Sequence, residues 1–563
     1  MSQAPVHRPA SEAELVELVR RARGERRVLR VRGAGHSPTG AIDPGTGDGI
    51  VVSLEDYRDW WVVDEGRRLV EVQAGIHLGR DPSDPSGAST VQRSLLWQLW
   101  HERGWALSAT GGITHQTVAG FLSTGSAGGS LQYAVSDDVW AVRLIDGRGE
   151  VHVVSREDDD PDLFDAIVPS MGLLGVISTV TFRCAEAFTI SGQEAITSID
   201  GAAVDLFGPG DAHRPSLERF LREAEYARIE WWPQRGAERA LIWQAQRTRR
   251  QPGFRPVRYE AFTAYPLLAE PLVALLYVIF GNVADPGHAQ EILRRDAGEI
   301  SRALTVLAAD GRLTPSARWL ARALHGGVRG AAALMPLLGP LAPRLERAIP
   351  SLFPRVLDLV LPLDTGKRGM HRGEPQAFRD WSWQGLPMDN QASDVLLPTE
   401  FTELWAPLSH AGEVARLVRG HFTAPADVHE AYARTGLYAY ELYGSPAHRA
   451  WLHPGHSSGE DEWAGGAVRL DVYWYSANAA DPHERFFPQF WWLLREHGIP
   501  FRLHWGKHQP RAPAGDRTWV DYFASMYPRW PDFLALRERL DPDGVFLSGY
   551  WRECFGLWEA SPR

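Results

Sequence analysis

Apolar and polar positions alternate along this chain in two blocks, separated by a long and more uniformly apolar stretch. Residues 11–25 read as an amphipathic helix, and Ser11-Glu12-Ala13-Glu14 supplies its N-terminal cap. Short apolar runs then alternate with turns to about residue 187. Strands are predicted at 27–30, 69–76 and 138–149, and in the β-branched run that follows Gly172. Residues 187–250 continue with strands and a helix, including an apolar run at 226–233. A second block of sheet and helix starts near residue 395 and runs to the end. Strands and helices mix throughout, and the predicted fold class is α+β.

The stretch between the blocks, roughly 251–390, departs from this alternation. Residues 262–283 are strongly apolar, and 326–361 are apolar with many prolines and glycines. A spanning helix needs about 20 apolar residues. Glu270 and two prolines interrupt the first run, which argues against a span. Three readings stay open: a helical insertion buried in an extended cap, a patch resting on a membrane, and a surface that docks a partner.

Length and composition narrow the class. A chain of 563 residues supports two or more domains and a large core. Its 44% hydrophobic and 23% charged content is that of a globular protein. A net charge of −11 without a basic stripe argues against nucleic-acid binding. Two cysteines, Cys184 and Cys554, exclude a disulfide framework, and no cluster has zinc spacing, so no metal is expected. The N-terminus has no apolar core of a secretory signal, and the expected location is the cytoplasm, with peripheral membrane contact through the apolar runs left open. Tryptophan is abundant, with 23 residues. Some could stack on sugar rings, although most are expected in the core.

Three glycine-rich segments carry the candidate chemistry. In Val31-Arg32-Gly33-Ala34-Gly35-His36-Ser37, two glycines permit a positive-φ turn after a strand. Such a turn exposes successive N–H groups that can form a nest for a pyrophosphate, with His36 at its mouth. The segment 111–130 is rich in glycine and other small residues, so its backbone can lie close to a flat ligand. The third, Gly172-Leu173-Leu174-Gly175-Val176-Ile177, turns into a β-branched strand.

Together these segments resemble the PCMH-type FAD-binding domain of the vanillyl-alcohol oxidase superfamily. His504-Trp505-Gly506-Lys507 and Asp541-Pro542-Asp543-Gly544-Val545-Phe546 resemble the closing motifs of its aldonolactone oxidase and alditol oxidase branch. The resemblance covers roughly 8–250 and 395–556. It implies a two-subdomain FAD-binding domain at 1–187 and a substrate domain at 188–535, with an antiparallel sheet flanked by helices and a helical insertion at about 251–390. A segment at 536–563 would return to the FAD domain. Bound FAD would be held by Arg32, Gly33, Ala34, Gly35, His36 and Ser37, by Gly111, Thr117, Gly120, Ser123, Thr124, Gly125 and Gly128, by Gly172, Gly175, Val176 and Ile177, and by His504 and Lys507. His36 would be joined covalently to the flavin.

The implied reaction moves a hydride from a CH–OH group of a small-molecule alcohol to the flavin, with O2 or another acceptor reoxidising it. The hydroxyl proton must leave at the same time, so a base or an alkoxide-stabilising cation is required. Counting back from Trp451-Leu452-His453-Pro454 places the relatives' Glu-x-Arg at Glu441-Leu442-Tyr443, with Tyr443 in place of the arginine. Strand alternation points 441 and 443 to one face. Lys507 and Glu403 complete the catalytic candidates. The relatives' Thr-Gly-Thr-His-Gly reads Thr124-Gly125-Ser126-Ala127-Gly128 here, without the histidine. Both departures predict a remodelled, less polar pocket. A sugar-lactone or alditol substrate is the family default, and a larger, more apolar substrate under a lid at 251–390 is the alternative. A decayed, non-catalytic flavin binder is the third reading, opposed by the retention of His36, Glu441 and Lys507.

Overall fold

The computed structural model describes residues 5–258, 375–389, 399–422, 439–476 and 482–558 apart from a few short stretches, and only scattered positions between 259 and 374. The helix Glu12–Gly24 forms as its sequence dictates. The Ser11 hydroxyl accepts from the Glu14 N–H at 3.3 Å, and the Glu14 carboxylate accepts from the Ala10 N–H at 2.9 Å. Leu15, Val19 and Ala22 form its buried stripe. It leads to a small parallel sheet of β1 (Val6–His7), β2 (Leu29–Arg32) and β3 (Ile50–Ser53), in the order β1-β3-β2. The strand predicted at 27–30 thus sits two residues later.

A second sheet joins β4 (Trp60–Asp64), β5 (Leu69–Gln73), β7 (Val139–Ile145), β8 (Val151–Ser155) and β9 (Val176–Arg183) in the antiparallel order β4-β5-β9-β7-β8, while β6 (Trp105–Ala106) pairs with β10 (Ala185–Glu186). The third sheet starts at Phe188. It consists of β11 (Phe188–Ser198), β12 (Tyr226–Trp232), β13 (Arg239–Arg249), β14 (Gln376–Trp381), β15 (Thr399–Pro407), β16 (Tyr440–Ser445), β17 (Ala467–Tyr475) and β18 (Arg502–Leu503). Their order is β14-β11-β13-β12-β16-β17-β15-β18, antiparallel throughout. Mixed helices and antiparallel sheets match the expected α+β class.

Part of the expected insertion belongs to this sheet. β14 pairs with β11 from Thr189↔Trp381 to Glu194↔Gln376, so residues 376–381 are a sheet edge rather than helical cap. The apolar run 262–283 lies outside the described residues, and 326–361 is described only at scattered positions. Among the described residues, no helix is long and apolar enough to cross a membrane.

The C-terminal segment is tied back to the first sheet. The Asp541 carboxylate accepts from the N–H groups of Val545 and Phe546 at 2.7 and 2.9 Å, closing the Asp-Pro-Asp-Gly turn. Leu29 N–H donates to Val545 O at 2.8 Å, and the buried Arg30 guanidinium donates to Phe546 O, Ala41 O and Met171 O. One arginine thereby holds together four chain segments that border the same cleft. Most tryptophans are core residues as expected, with Trp231, Trp243, Trp405, Trp474, Trp491 and Trp551 fully buried.

Candidate active site

The turn after β2 forms the mouth of the cleft. Gly35 has φ of +84°, a conformation that favours glycine. A Cβ on Gly33 would lie 2.6 Å from Thr117 Oγ1, the atom that accepts from Gly120 N–H and caps the helix Val118–Ser123. The backbone N–H groups of Gly33 to Ser37 donate to no described residue. Five successive free donors at a strand-to-loop turn fit a pyrophosphate, as a nest should. Arg32 to Ser37, Thr117, Gly120, Ser123, Thr124, Gly172, Gly175, Val176, Ile177, His504 and Lys507 all line this cleft, and FAD fits the donor set.

Three expected cofactor residues stand elsewhere. Gly111 lines the larger neighbouring cavity, while Gly125 and Gly128 line neither space. Gly125 turns at φ +73° against Pro454 and Pro169, and a Cβ on Gly128 would meet Thr110 O at 2.1 Å. At both positions the lack of a side chain is required by backbone packing behind the loop.

The cleft opens into a cavity of about 760 Å³. The two spaces share His36, Ser126, His504, Gly506 and Lys507, so this is where a flavin ring held by the cleft would face a substrate. His36 is exposed to the space where cleft and cavity meet, within a shell of surrounding protein that still disfavours its charged form. That desolvation, with Lys507 and His115 nearby, lowers its pKa to about 4, so the imidazole is neutral and its ring nitrogen nucleophilic. The His504 ring contacts Ser126 Oγ at 3.2 Å through Nε2, and its Nδ1 accepts from Gly506 N–H at 3.1 Å. Gly506 approaches Thr124 so closely that a Cβ would lie 3.2 Å from it, which locks the His-Trp-Gly-Lys turn onto the glycine loop. Lys507 Nζ sits 3.7 Å from the centroid of the Phe401 ring. Burial lowers its pKa, while Glu403 and Asp471 act to keep it charged.

The floor of the cavity is the third sheet. Glu441 and Tyr443 share one face as predicted, and the Tyr443 hydroxyl donates to Glu441 Oε2. The less polar pocket expected from the missing arginine is not what the sheet builds. Arg469 on β17 stands directly opposite Tyr443 on β16 and opposite Trp405 on β15. Its guanidinium lies 4.7 Å from the Tyr443 ring centroid, and its Nε donates to Glu403 Oε1 at 3.0 Å. A cation therefore reaches the floor from the neighbouring strand. It also takes up the loop where the histidine is missing, since Arg469 Nη1 donates to Ala127 O at 2.7 Å and Gly128 O at 3.2 Å.

A row of carboxylates runs beside that cation. Glu403, Asp471, Glu441 and Glu230 are cross-strand neighbours on β15, β17, β16 and β12, and all four line the cavity. Burial raises the pKa of Glu441, with Tyr443 and Tyr473 opposing. Burial and then Glu441 raise Glu230 to about 8. Burial acts to raise Glu403 too, but Arg469, His504 and Lys507 outweigh it and its pKa falls. Sequence reasoning missed Arg469, Asp471, Glu230, Arg228 and Glu194. The signal was available: Arg469-Leu470-Asp471-Val472 and Arg228-Ile229-Glu230-Trp231 alternate charged and apolar residues on strands whose charged positions are buried or half-buried.

Comparisons with known proteins point to FAD binding and to lactone oxidases. An FAD binding domain family matches residues 4–80, and a D-arabinono-1,4-lactone oxidase family matches residues 448–554. A Neurospora crassa protein provisionally described as a D-arabinono-1,4-lactone oxidase is 25% identical over 97% of this chain and 82% of its own. The D-arabinono-1,4-lactone oxidase of Eremothecium gossypii is 29% identical over 43% of this chain and 40% of its own length, and mouse L-gulonolactone oxidase is 28% identical over 40% and 45%. The chain thus spans under half the length of those two relatives. The crystal structure of a cholesterol oxidase from B. sterolicum shares the fold, with a TM-score of 0.63 and 14% identity over 98% of this chain and 94% of that one.

Proposed function

We propose that this chain, an FAD-dependent oxidoreductase related to the aldonolactone oxidases, oxidises a hydroxyl-bearing carbon of a sugar lactone or similar polyol in the cavity beside His36 and Lys507. The observation that carries this reading is the charged floor. Buried carboxylates and a guanidinium in register make the cavity floor polar, and an apolar substrate would strip their hydration without replacing it, which a substrate rich in hydroxyls does not. Bound FAD supplies the two-electron acceptor. Arg32 to Ser37 would hold its pyrophosphate, the turn His504 to Lys507 lines the junction where its ring would lie, and the Lys507 ammonium would stabilise negative charge developing there. Arg469 anchors the glycine loop and keeps Glu403 ionised. Glu441 and Tyr443 orient the substrate. O2 is the acceptor that the relatives' names as oxidases support.

His36 is proposed as the point of covalent flavin attachment, on the grounds of its position at the junction and its neutral imidazole. The two buried free cysteines fit a reducing compartment, and the cytoplasm is the proposed location. Incubating the aerobic enzyme with D-arabinono-1,4-lactone and with xylitol while following hydrogen peroxide tests the function. Peroxide formed from at least one of them is expected, and none from either removes the reading. Flavin that stays with acid-precipitated wild-type protein but not with His36→Ala protein supports the attachment, and flavin free in both supernatants refutes it.

A further inference from the structure

We propose that Asp471 is the residue that takes the hydroxyl proton of the substrate, a catalytic role that rests on the alcohol-oxidation reading above. Four carboxylates line the floor in register, and their hydrogen bonds set them apart. Glu403 Oε1 already accepts from Trp405 Nε1 at 2.8 Å and from Arg469 Nε at 3.0 Å. Glu441 accepts the Tyr443 hydroxyl and is also engaged by Tyr473. Glu230 lies two strands beyond Asp471, on the side away from Glu403. Asp471 Oδ1 is buried and finds no hydrogen-bond partner among the described residues, while Oδ2 faces Arg469 Nη2 at 3.8 Å.

A buried carboxylate oxygen without a donor is costly to maintain and is rarely left so in a folded protein. Asp471 lines the cavity that a substrate would enter, and neither of its oxygens accepts a hydrogen bond from a described residue, so a substrate hydroxyl is the donor this carboxylate lacks. Its place in the row puts it between Glu403 and Glu441, in the same electrostatic cluster as Lys507 at the junction with the flavin cleft. In the step, the carbinol C–H bond breaks and its electron pair leaves as hydride to the oxidised flavin. The O–H bond breaks as its proton passes to the Asp471 carboxylate, and the freed pair forms the carbonyl. The alcohol loses two electrons and the flavin gains them.

The surroundings suit a base. Burial, with Glu403 on β15 and Glu441 on β16, raises the proton affinity of Asp471, and Arg469 on its own strand and Lys507 from the turn after β18 oppose them. The group is a stronger base than an exposed aspartate, and it acts only when ionised. The rate of flavin reduction should therefore rise with pH to a plateau.

The test compares wild type, Asp471→Asn and Asp471→Glu as holoenzymes. Anaerobic flavin reduction by D-arabinono-1,4-lactone and by xylitol is followed across pH, and infrared spectroscopy follows the carbonyl band of protonated carboxyl groups in the substrate-free enzymes. Asp471→Asn should keep its FAD, reduce on the order of a hundredfold more slowly and lose the rising limb. It should also lose an infrared band that titrates over the pH range of that limb in wild type. Asp471→Glu should restore part of the rate and the limb. An Asp471→Asn enzyme that keeps the wild-type rate or limb overturns the assignment alone. A wild type that neither probe reduces at any pH overturns the alcohol-oxidation reading, and this assignment with it.

Discussion

Lys507 and Arg469 show how single residues divide the work at the junction. Lys507 stands where the cleft meets the cavity and is held by charge, with Glu403 and Asp471 opposing the effect of its burial. Its interaction with the reacting centre grows as charge develops, so its loss should affect the rate more than cofactor binding. Lys507→Met is expected to slow anaerobic flavin reduction on the order of a hundredfold while FAD content stays at the wild-type level. Stopped-flow traces and the flavin-to-protein absorbance ratio check both halves. Arg469 is a different case, because it carries the glycine loop as well as two carboxylates. Removing one partner of a buried charge cluster typically costs about 3–5 kcal/mol. Arg469→Gln should lower the melting temperature at neutral pH. The loss should shrink as pH falls, because the abandoned Glu403 and Asp471 then take up protons. An Arg469→Gln protein equally destabilised at pH 5 and pH 8 would refute this account of its role.

At the scale of elements, local patterns were legible and pairings between distant strands were not. The capped helix, the Gly-x-Gly-His turn and the shared face of Glu441 and Tyr443 follow from neighbours in the chain. Arg469 faces Tyr443 only through the register of β16 with β17, across 26 residues of sequence, and a change at 443 cannot announce it. The edge strand β14 was hidden for the same reason, since its partner β11 lies about 180 residues earlier. The short element Val135–Asp138 carries a prediction of its own. Asp138 receives the N–H and hydroxyl of Ser108 at 2.6 and 2.8 Å, yet burial outweighs them and raises its pKa to about 7. An unfolded aspartate titrates near ~4. Between these values the folded state holds a proton that the unfolded state has lost, so the contribution to stability is full below about pH 4 and is lost as pH rises toward 7. Asp138→Asn should raise the melting temperature at pH 8 and leave it unchanged at pH 4. Calorimetry at the two pH values decides, and an equal shift at both would count against the burial argument.

For the whole molecule, the function depends on two folded parts meeting. The first two sheets and the returning C-terminal segment build the cleft, and the eight-stranded sheet supplies the cavity floor. The glycine motifs made the cleft readable from sequence because phosphate binding uses backbone shape, which glycine spacing encodes. The floor was less readable because it is assembled from alternate residues of β12, β15, β16 and β17. Its polarity is the ground for assigning a substrate rich in hydroxyls. Anaerobic titration of the flavin absorbance with D-arabinono-1,4-lactone, xylitol and a long-chain primary alcohol decides whether that assignment holds. Bleaching by the lactone or by xylitol, with the long-chain alcohol inert at the same concentration, is the predicted result. Bleaching by the long-chain alcohol alone would contradict it.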